Sequence, residues 1–177
     1  MLESAEKMPD VVFDFYGDID GSFSGYFNTL INKLPNVSYR GVFKSGEYEK
    51  YVLLHSYDAM LLPTKWINEG TPGIIVESKI AGIIPIVSNQ NYNAELVYHN
   101  IDGIVLSNTD STELESAIEK IQDEYDTYLR LRVASHKSAE KYYIEEYIIL
   151  FLNKKLTYMH GCAIIVKGDD YGKEIRN

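Results

Sequence analysis

The sequence predicts an α/β fold, a doubly wound parallel sheet with helices on both faces, and three observations lead to that prediction. Short runs of apolar and β-branched residues alternate along the chain with longer segments whose apolar residues recur at helical spacing. Alternation of this kind provides the crossover helices that parallel strands require. The chain has 177 residues, of which 45% are hydrophobic, and this is enough for one domain with a buried core.

The first half of the chain begins with the clearest strand signal. Val11–Tyr16 (VVFDFY) is a run of β-branched and aromatic residues that stops at Gly17-Asp18, which is typical of a buried strand ending in a turn. The segments that follow predict, in order, a helix over residues 25–34, a strand over 36–42, a helix over 47–57 and a strand over 58–62.

The second half contains the helix with the strongest start and stop signals, predicted over residues 71–81. Thr71 can cap this helix, Pro72 suits its first position, and Gly82 suits its exit. The remaining segments predict a strand over 83–88, a short helix over 93–99, a strand over 103–106, a long amphipathic helix over 111–128 that Ser111 or Thr112 caps, and one or two helices over 130–156.

Charge and residue composition exclude several classes of protein. Lys and Arg number 17 against 26 Asp and Glu, and the net charge of −9 disfavours nucleic acids and anionic membrane surfaces as partners. The longest apolar runs, such as residues 148–152, are far shorter than the roughly 18 residues of a membrane span. The single cysteine, Cys162, rules out an internal disulfide, and the 4 histidines show no metal-ligand spacing. We therefore expect a cytoplasmic protein without a bound metal.

Two carboxylates, Glu69 and Glu77, lie eight positions apart across the predicted start of helix 71–81. In doubly wound sheets ligands bind beyond the carboxyl ends of the strands, where this helix begins. The N–H groups around residues 73–75 and the positive end of the helix dipole would bind an anion such as a diphosphate. A nucleoside diphosphate sugar has hydroxyl groups on both sides of its diphosphate, and carboxylates accept hydrogen bonds from hydroxyl groups. The simpler alternative is two solvated acids near a helix start.

The run over residues 62–89, LPTKWINEGTPGIIVESKIAGIIPIVSN, resembles the core motif of the family 4 retaining glycosyltransferases, which have the GT-B fold. Four shorter motifs resemble signatures of the same family in the same order: YGD at 16–18, VSYRGV at 37–42, YNAE at 92–95 and HNIDG at 99–103. The resemblance covers about residues 10–110. It implies that residues 1–156 form a Rossmann-like domain, the carboxyl-terminal half of a GT-B fold, which binds the nucleotide sugar.

By position, the resemblance also implies a role for each candidate site residue. Glu69 lies against the donor sugar and is the catalytic candidate, whereas Glu77 binds the ribose hydroxyls. The other donor-binding candidates are the helix-start residues Thr71, Gly73, Ile74 and Ile75, the glycine at which the backbone approaches the donor, Gly17, and three residues of the loop that frames the nucleobase, Arg40, Val42 and Lys44. The structural alternative is that Gly17 only makes a turn and that Arg40 and Lys44 are surface charges.

The function implied by the resemblance is transfer of a hexose or N-acetylhexosamine in bacterial surface polysaccharide biosynthesis (O-antigen, capsule or lipopolysaccharide). The donor would be UDP-linked, with no cofactor or metal. An amino-terminal domain or a separate subunit would bind the acceptor and could bring the protein to the inner membrane, so this chain alone is expected to be inactive. Two alternatives remain open: a non-catalytic nucleotide-sugar-binding subunit of a split glycosyltransferase, and a flavodoxin-like signalling domain in which the glutamates are incidental.

Residues 157–177 form a tail beyond the predicted domain. In the family, the first strand of this domain lies centrally, beside the strand matched here by Val11–Tyr16, and an Arg and a Lys after it bind the diphosphate. This chain resembles the family only from the end of the following helix, so we expect the apolar run 163–166 to fill the central position, within its own chain or by exchange in a homodimer. Lys167 or Lys173 would then reach the diphosphate. The alternatives are a surface tail and an extra edge strand.

Overall fold

The computed structural model describes residues 1–42, 53–66 and 70–142, and the backbone of a strand over 163–168. The described residues form six strands: β1 Val11–Tyr16, β2 Val37–Gly41, β3 Ala59–Leu62, β4 Ile84–Ser88, β5 Ile104–Leu106 and β6 Ala163–Gly168. The helices are α1 Leu2–Lys7, α2 Gly21–Ile31, α3 Gly73–Ile80, α4 Asn93–Leu96, α5 Ser111–Asp123 and α6 Tyr125–Ser138, the last of which continues into a 3₁₀ turn, Ala139–Tyr142. The α/β fold class predicted from the sequence is confirmed.

The strands form one sheet in the order β2-β1-β6-β3-β4-β5. The first five strands of the chain run parallel to one another, and they end at the same edge of the sheet, which we call the carboxyl edge. Alternate side chains enter cores on opposite faces. One core contains Phe13 and Phe15 and is covered by α1, α2, α5 and α6, whereas the other contains Tyr16, Met60 and Ile75 and is covered by α3.

Strand β6 lies between β1 and β3, so the central position predicted for the run 163–166 is confirmed and the surface-tail and edge-strand alternatives are wrong. The strand pairs with β1 and β3 of its own chain, and exchange with a second copy stays a prediction. Its direction departs from the otherwise parallel sheet, because β6 is antiparallel to both neighbours.

The direction of β6 corrects the prediction for Lys167. This residue lies opposite Val12, whereas Ala163 lies opposite Tyr16 at the carboxyl edge. Four residues of strand, about 13 Å, therefore separate the position of Lys167 from that edge. Lys167 cannot replace a diphosphate-binding residue there, and Lys173 lies outside the described residues.

Side-chain caps move two helix boundaries away from the predicted positions. Asp20 accepts a hydrogen bond from the Ser22 N–H at 2.8 Å, and α2 therefore begins at Gly21, four residues earlier than predicted. Asp110, rather than Ser111 or Thr112, caps α5 by accepting from the Glu113 N–H at 2.9 Å. The predicted helix 111–128 is in fact two helices, because the backbone of Glu124 has φ −106 and ψ 84 and leaves the helical region.

A buried ion pair joins α3 to the segment between α4 and β5. Lys79 of α3 is fully buried, and its Nζ donates to Asp102 Oδ2 at 2.7 Å, to the Leu96 carbonyl at 2.6 Å and to Ser138 Oγ at 3.1 Å. Burial lowers the pKa of Lys79, and the hydrogen bond and the charge of Asp102 oppose this shift. All three donors of the ammonium group are satisfied, so this lysine ties three separate segments together.

Candidate functional site

The carboxyl edge carries most of the predicted site residues. The loops after β1, β2, β3 and β4 all leave the sheet at this edge, and α3 begins there on the face that contains Tyr16 and Met60. This is the position at which doubly wound sheets bind their ligands.

The start of α3 differs by one or two residues from the prediction. Pro72 is the N-cap, with φ −69 and ψ 113, so its backbone is extended and the helix begins at Gly73. Thr71 is exposed and makes no capping hydrogen bond, and the prediction that it caps the helix is wrong. Proline fits the N-cap because its missing N–H is not needed there, while its carbonyl accepts from the Ile75 N–H at 3.1 Å.

Two backbone N–H groups at the start of α3 are available to a ligand. The Ile75 N–H is used within the turn, whereas the N–H groups of Gly73 and Ile74 have no acceptor among the described residues. Gly73 and Ile74 are half-buried, and the positive end of the α3 dipole lies at the same place. The start of α3 can therefore bind an anion through Gly73 and Ile74, and not through Ile75 as the sequence predicts.

Glu77 lies one turn further along α3, about 6 Å along the helix axis from Gly73. Its side chain is buried, with 7% of the residue exposed. A buried carboxylate is a stronger hydrogen-bond acceptor than a solvated one, which argues against the simpler alternative for this residue. The other carboxylate of the predicted pair, Glu69, lies outside the described residues.

Gly17 holds the ends of β1 and β2 together. Its φ of 127° lies in the region that favours glycine, its N–H donates to the Gly41 carbonyl at 2.9 Å, and its carbonyl accepts from the Tyr39 hydroxyl at 2.9 Å. The glycine therefore shapes the edge, and its amide is used within the protein.

The predicted nucleobase loop is described only up to Val42, which is 50% exposed, and Lys44 lies outside the described residues. Arg40 lies at the end of β2, and its Nε is 3.0 Å from Asp14 Oδ1. This contact is an ion pair rather than a well-aligned hydrogen bond. The Arg40 side chain is 51% exposed, so the guanidinium is anchored on one side and accessible on the other.

Sequence reasoning missed Asp14 and Tyr57. Asp14 is 5% exposed, and its Oδ2 accepts from the Tyr57 hydroxyl at 2.7 Å, while Tyr57 and Tyr16 hydroxyls lie 2.6 Å apart. Burial raises the pKa of Tyr57, and its hydrogen bonds to Tyr16 and Asp14 raise it further. The signal was present in the run VVFDFY, because one charged residue within a buried strand requires partners.

The loops after β3 and β4 are joined to each other. Asn91, with φ 50°, donates from Nδ2 to the Trp66 carbonyl at 2.7 Å, and the Trp66 N–H donates to Thr64 Oγ1 at 3.1 Å. Trp66 itself is 66% exposed. These hydrogen bonds fix the described part of the loop that precedes α3 against the loop after β4.

The arrangement defines a class of protein: an α/β domain whose carboxyl edge carries a helix start with two available amides and, one turn further along that helix, a buried carboxylate. Within residues 1–42, 53–66 and 70–142, no group of three His, Cys, Asp or Glu side chains is placed to hold a metal ion. Nor does any helix of these ranges have the length and hydropathy needed to cross a bilayer.

The family model described as "Glycosyl transferases group 1" matches residues 2–140, and the chain therefore belongs to this family. The resemblance drawn from the sequence motifs is confirmed, and the match decides against the flavodoxin-like signalling domain. None of the curated proteins matches the sequence.

Several solved structures share the fold. The structure of Anabaena Alr3699/HepE in complex with UDP aligns with a TM-score of 0.68 and 18% identity, over 79% of this chain and 39% of that chain. A glycosyltransferase from Rickettsia africae aligns with a TM-score of 0.64 and 16% identity, over 85% and 42%. The pneumococcal O-GlcNAc transferase GtfA in complex with UDP and GlcNAc aligns with a TM-score of 0.63 and 15% identity, over 86% and 32%. The present chain thus spans about two fifths or less of these proteins.

Proposed function

We propose that this chain is the donor-binding domain of a retaining glycosyltransferase and binds a nucleoside diphosphate sugar, with UDP as the nucleotide. The observation that carries the proposal is the start of α3, where the Gly73 and Ile74 amides lie one turn from the buried Glu77 carboxylate. The similar Alr3699/HepE fold is described in complex with UDP and with UDP-glucose, which supports this ligand class.

The proposed chemistry uses the helix start to stabilise the departing diphosphate. Negative charge on the diphosphate grows as the bond to the sugar breaks, and the two amides and the helix dipole of α3 favour that charge. Glu77 accepts hydrogen bonds from the ribose hydroxyls, and Glu69 contacts the sugar. No step requires a metal or a cofactor.

Transfer also requires an acceptor held against the anomeric carbon of the sugar. We assign that task to an acceptor-binding domain or a separate subunit, so that this chain by itself binds the donor without turnover. The finer proposal is transfer of a hexose or N-acetylhexosamine in bacterial surface polysaccharide biosynthesis, in the cytoplasm or at the inner membrane. A donor-binding subunit of a split enzyme would use the same site.

Calorimetric titration of the chain with UDP, GDP and ADP tests the proposal. We expect at least one of the three to bind at a single site. Absence of binding by all three would overturn the proposed function, because the helix start and Glu77 would then have no nucleotide to hold.

Replacing Glu77 with Ala should weaken nucleoside diphosphate binding by on the order of 1 to 3 kcal/mol, since a charged hydrogen-bond partner is lost. The matched control is Glu119→Ala, which removes an exposed glutamate from α5, on the other face of the sheet. Circular dichroism establishes that both variants are folded before titration. A folded Glu77→Ala variant with unchanged affinity would show that this carboxylate does not bind the ribose.

Replacing Glu69 with Ala should distinguish the role of this glutamate from that of Glu77. Because Glu69 is proposed to touch only the sugar, we expect little change in affinity for the bare nucleoside diphosphate and a clear loss for the intact nucleotide sugar. The two titrations are compared on the same protein preparation. Equal losses with both ligands would instead place Glu69 at the phosphates or the ribose.

A further inference from the structure

An apolar stripe, formed by Tyr125, Leu129 and Val133, runs along the outer side of α6. The three residues follow one another at intervals of four positions, which places them on the same side of the helix. Their exposed fractions are 44%, 37% and 65%. Apolar side chains that lie next to one another on a protein surface are typical of a contact with another molecule.

A groove lies beside the apolar stripe, between α6, the end of α3 and His55, and has a volume of about 720 Å³. Two histidines form part of its walls. Nδ1 of His55 lies 2.7 Å from the Ala81 carbonyl, and Nδ1 of His136 lies 3.1 Å from the Ile80 carbonyl. Because a carbonyl only accepts, each Nδ1 donates, and these bonds fix both rings against the end of α3. The groove is therefore formed by the fold itself.

This surface lies at the edge of the sheet opposite the carboxyl edge. The Tyr128 hydroxyl of α6 donates to Asp58 Oδ1 at 2.8 Å, and Ser135 Oγ donates to the Ile83 carbonyl at 2.8 Å. Asp58 and Ile83 directly precede β3 and β4, whereas the candidate site follows these strands. A molecule bound to α6 therefore leaves the candidate site open.

The charges along α6 are divided between its two ends. Acidic residues stand at the start of the helix, and basic residues stand in its second half. The acidic set is Asp123, Glu124 and Asp126, and the basic set is Arg130, Arg132 and Lys137. The 3₁₀ turn that follows adds one charge of each sign. A helix with this division of charge attracts another copy of itself when the two lie antiparallel.

Asp126 and Lys137 carry the argument further, because both are exposed and lie on the same flank of the apolar stripe. They are eleven positions apart, which is three turns of an α-helix, or about 16 Å. A two-fold axis across α6 brings the same flank of two copies together and reverses the order of their residues. Asp126 of each copy then faces Lys137 of the other, and the attraction occurs twice.

We propose that the outer side of α6 is a dimerisation surface, on which a second copy of this chain packs with its own α6 antiparallel. In this register Leu129 of each copy lies against Val133 of the other. Tyr125 of each copy lies at the level of His136 and Lys137 of the other, which line the groove. The dimer requires no bound nucleotide and no exchange of β6.

The charge pattern favours a second copy over an anionic membrane. A bilayer surface of one sign attracts the end of α6 that carries Lys137 and repels the end that carries Asp126, whereas an antiparallel copy suits both ends. The contact is small. A helix of 14 residues is about 21 Å long and about 10 Å wide, which is less than the roughly 800 Å² per partner of a standard stable interface. We therefore expect a reversible dimer with a micromolar Kd.

Sedimentation velocity of the full chain, over a concentration series that spans the micromolar range, tests the proposal. We expect a monomer–dimer equilibrium that shifts towards the monomer on dilution. A chain that stays monomeric throughout overturns the proposal, and so does a dimer that dilution does not dissociate, which is the behaviour of exchanged strands. If the chain is monomeric and instead sediments with vesicles that contain anionic phospholipid, α6 contacts a membrane and the proposal fails.

Charge exchange identifies the surface. Asp126→Lys and Lys137→Asp should each raise the dimer Kd on the order of tenfold, because two attractions become two repulsions. The double variant should restore the dimer, since the two-fold axis then pairs the same charges in reversed order. Glu119→Lys, the same change of charge at an exposed residue of α5, is the matched control and should leave the equilibrium unchanged. Circular dichroism checks that every variant is folded. If the folded double variant dimerises no better than the single variants, Asp126 and Lys137 do not face each other and the proposed packing is wrong.

The apolar stripe is tested separately by Val133→Glu. This position is 65% exposed, so the change leaves the core intact. A charge at the centre of the contact would be buried without a partner, and we expect the variant to sediment as a monomer at every concentration. A Val133→Glu variant that dimerises as tightly as the unmodified chain would place the dimer contact elsewhere and overturn the proposal.

Discussion

Truncation of the chain after Leu156 should abolish the cooperative folding of this domain. Strand β6 is hydrogen-bonded to β1 on one side and to β3 on the other, and its removal leaves both inner strands without partners in the middle of the sheet. Each buried backbone group left unpaired costs about 1 to 3 kcal/mol, so that several such groups exceed the 5 to 15 kcal/mol by which a typical domain is stable.

The measurement is thermal and urea unfolding followed by circular dichroism, together with UDP titration. Truncation after Gly168 is the matched control, because it removes residues 169–177 and leaves β6 in place. We expect this control to unfold cooperatively. If the chain that ends at Leu156 is as stable as the full chain and binds nucleotide equally well, β6 is not required at the centre of the sheet.

Replacing Asp102 with Ala should destabilise the domain by about 3 to 5 kcal/mol, because the Lys79 ammonium remains buried without its carboxylate partner. The loss also removes the acceptor of the Tyr98 N–H, which bonds to Asp102 Oδ1 at 2.8 Å. Urea unfolding gives the free energy directly.

Two comparisons separate the charge effect from general damage. The variant Lys79→Met with Asp102→Asn removes both charges, keeps an acceptor for Tyr98, and should recover a large part of the lost stability. Glu115→Ala breaks the pair between Lys7 and Glu115, which has the same type of contact at 3.0 Å but a 54% exposed lysine, and should cost less than about 1 kcal/mol. Equal effects of Asp102→Ala and Glu115→Ala would contradict the role assigned to burial.

Local patterns explain why much of the fold was predictable. The run Val11–Tyr16 has the composition and length of a buried strand, and its predicted limits match the structure. The helix after the β3 loop was predicted within two residues of Gly73–Ile80, because its start and stop signals lie in neighbouring residues. Propensities and periodicity act over a few residues, so they locate elements well and their ends less well. The error at Thr71 is of this kind, since only the observed ψ of Pro72 shows which residue precedes the helix.

The ion pairs of this protein could not be predicted from the sequence, because their partners are brought together only by the three-dimensional arrangement. Lys79 looks like an ordinary exposed helix residue in the sequence, yet it is fully buried against Asp102, 23 positions away. Asp14 is a visible exception within its strand, but its partner Arg40 could not be chosen from the sequence, because that choice depends on the register between β1 and β2. Pairings of this type follow from packing and not from local composition.

By itself, the sequence determined the family, the alternation of strands and helices, the location of the helix start that would bind a diphosphate, and the presence of one more apolar strand in the tail. Only the tertiary structure decided the direction of that strand, and with it the position of Lys167 at the edge away from the site. An apolar run has the same composition whichever way it lies in a sheet. Its direction depends on which ends of β1 and β3 it meets, and these contacts join residues about 150 positions apart for β1 and about 105 positions apart for β3.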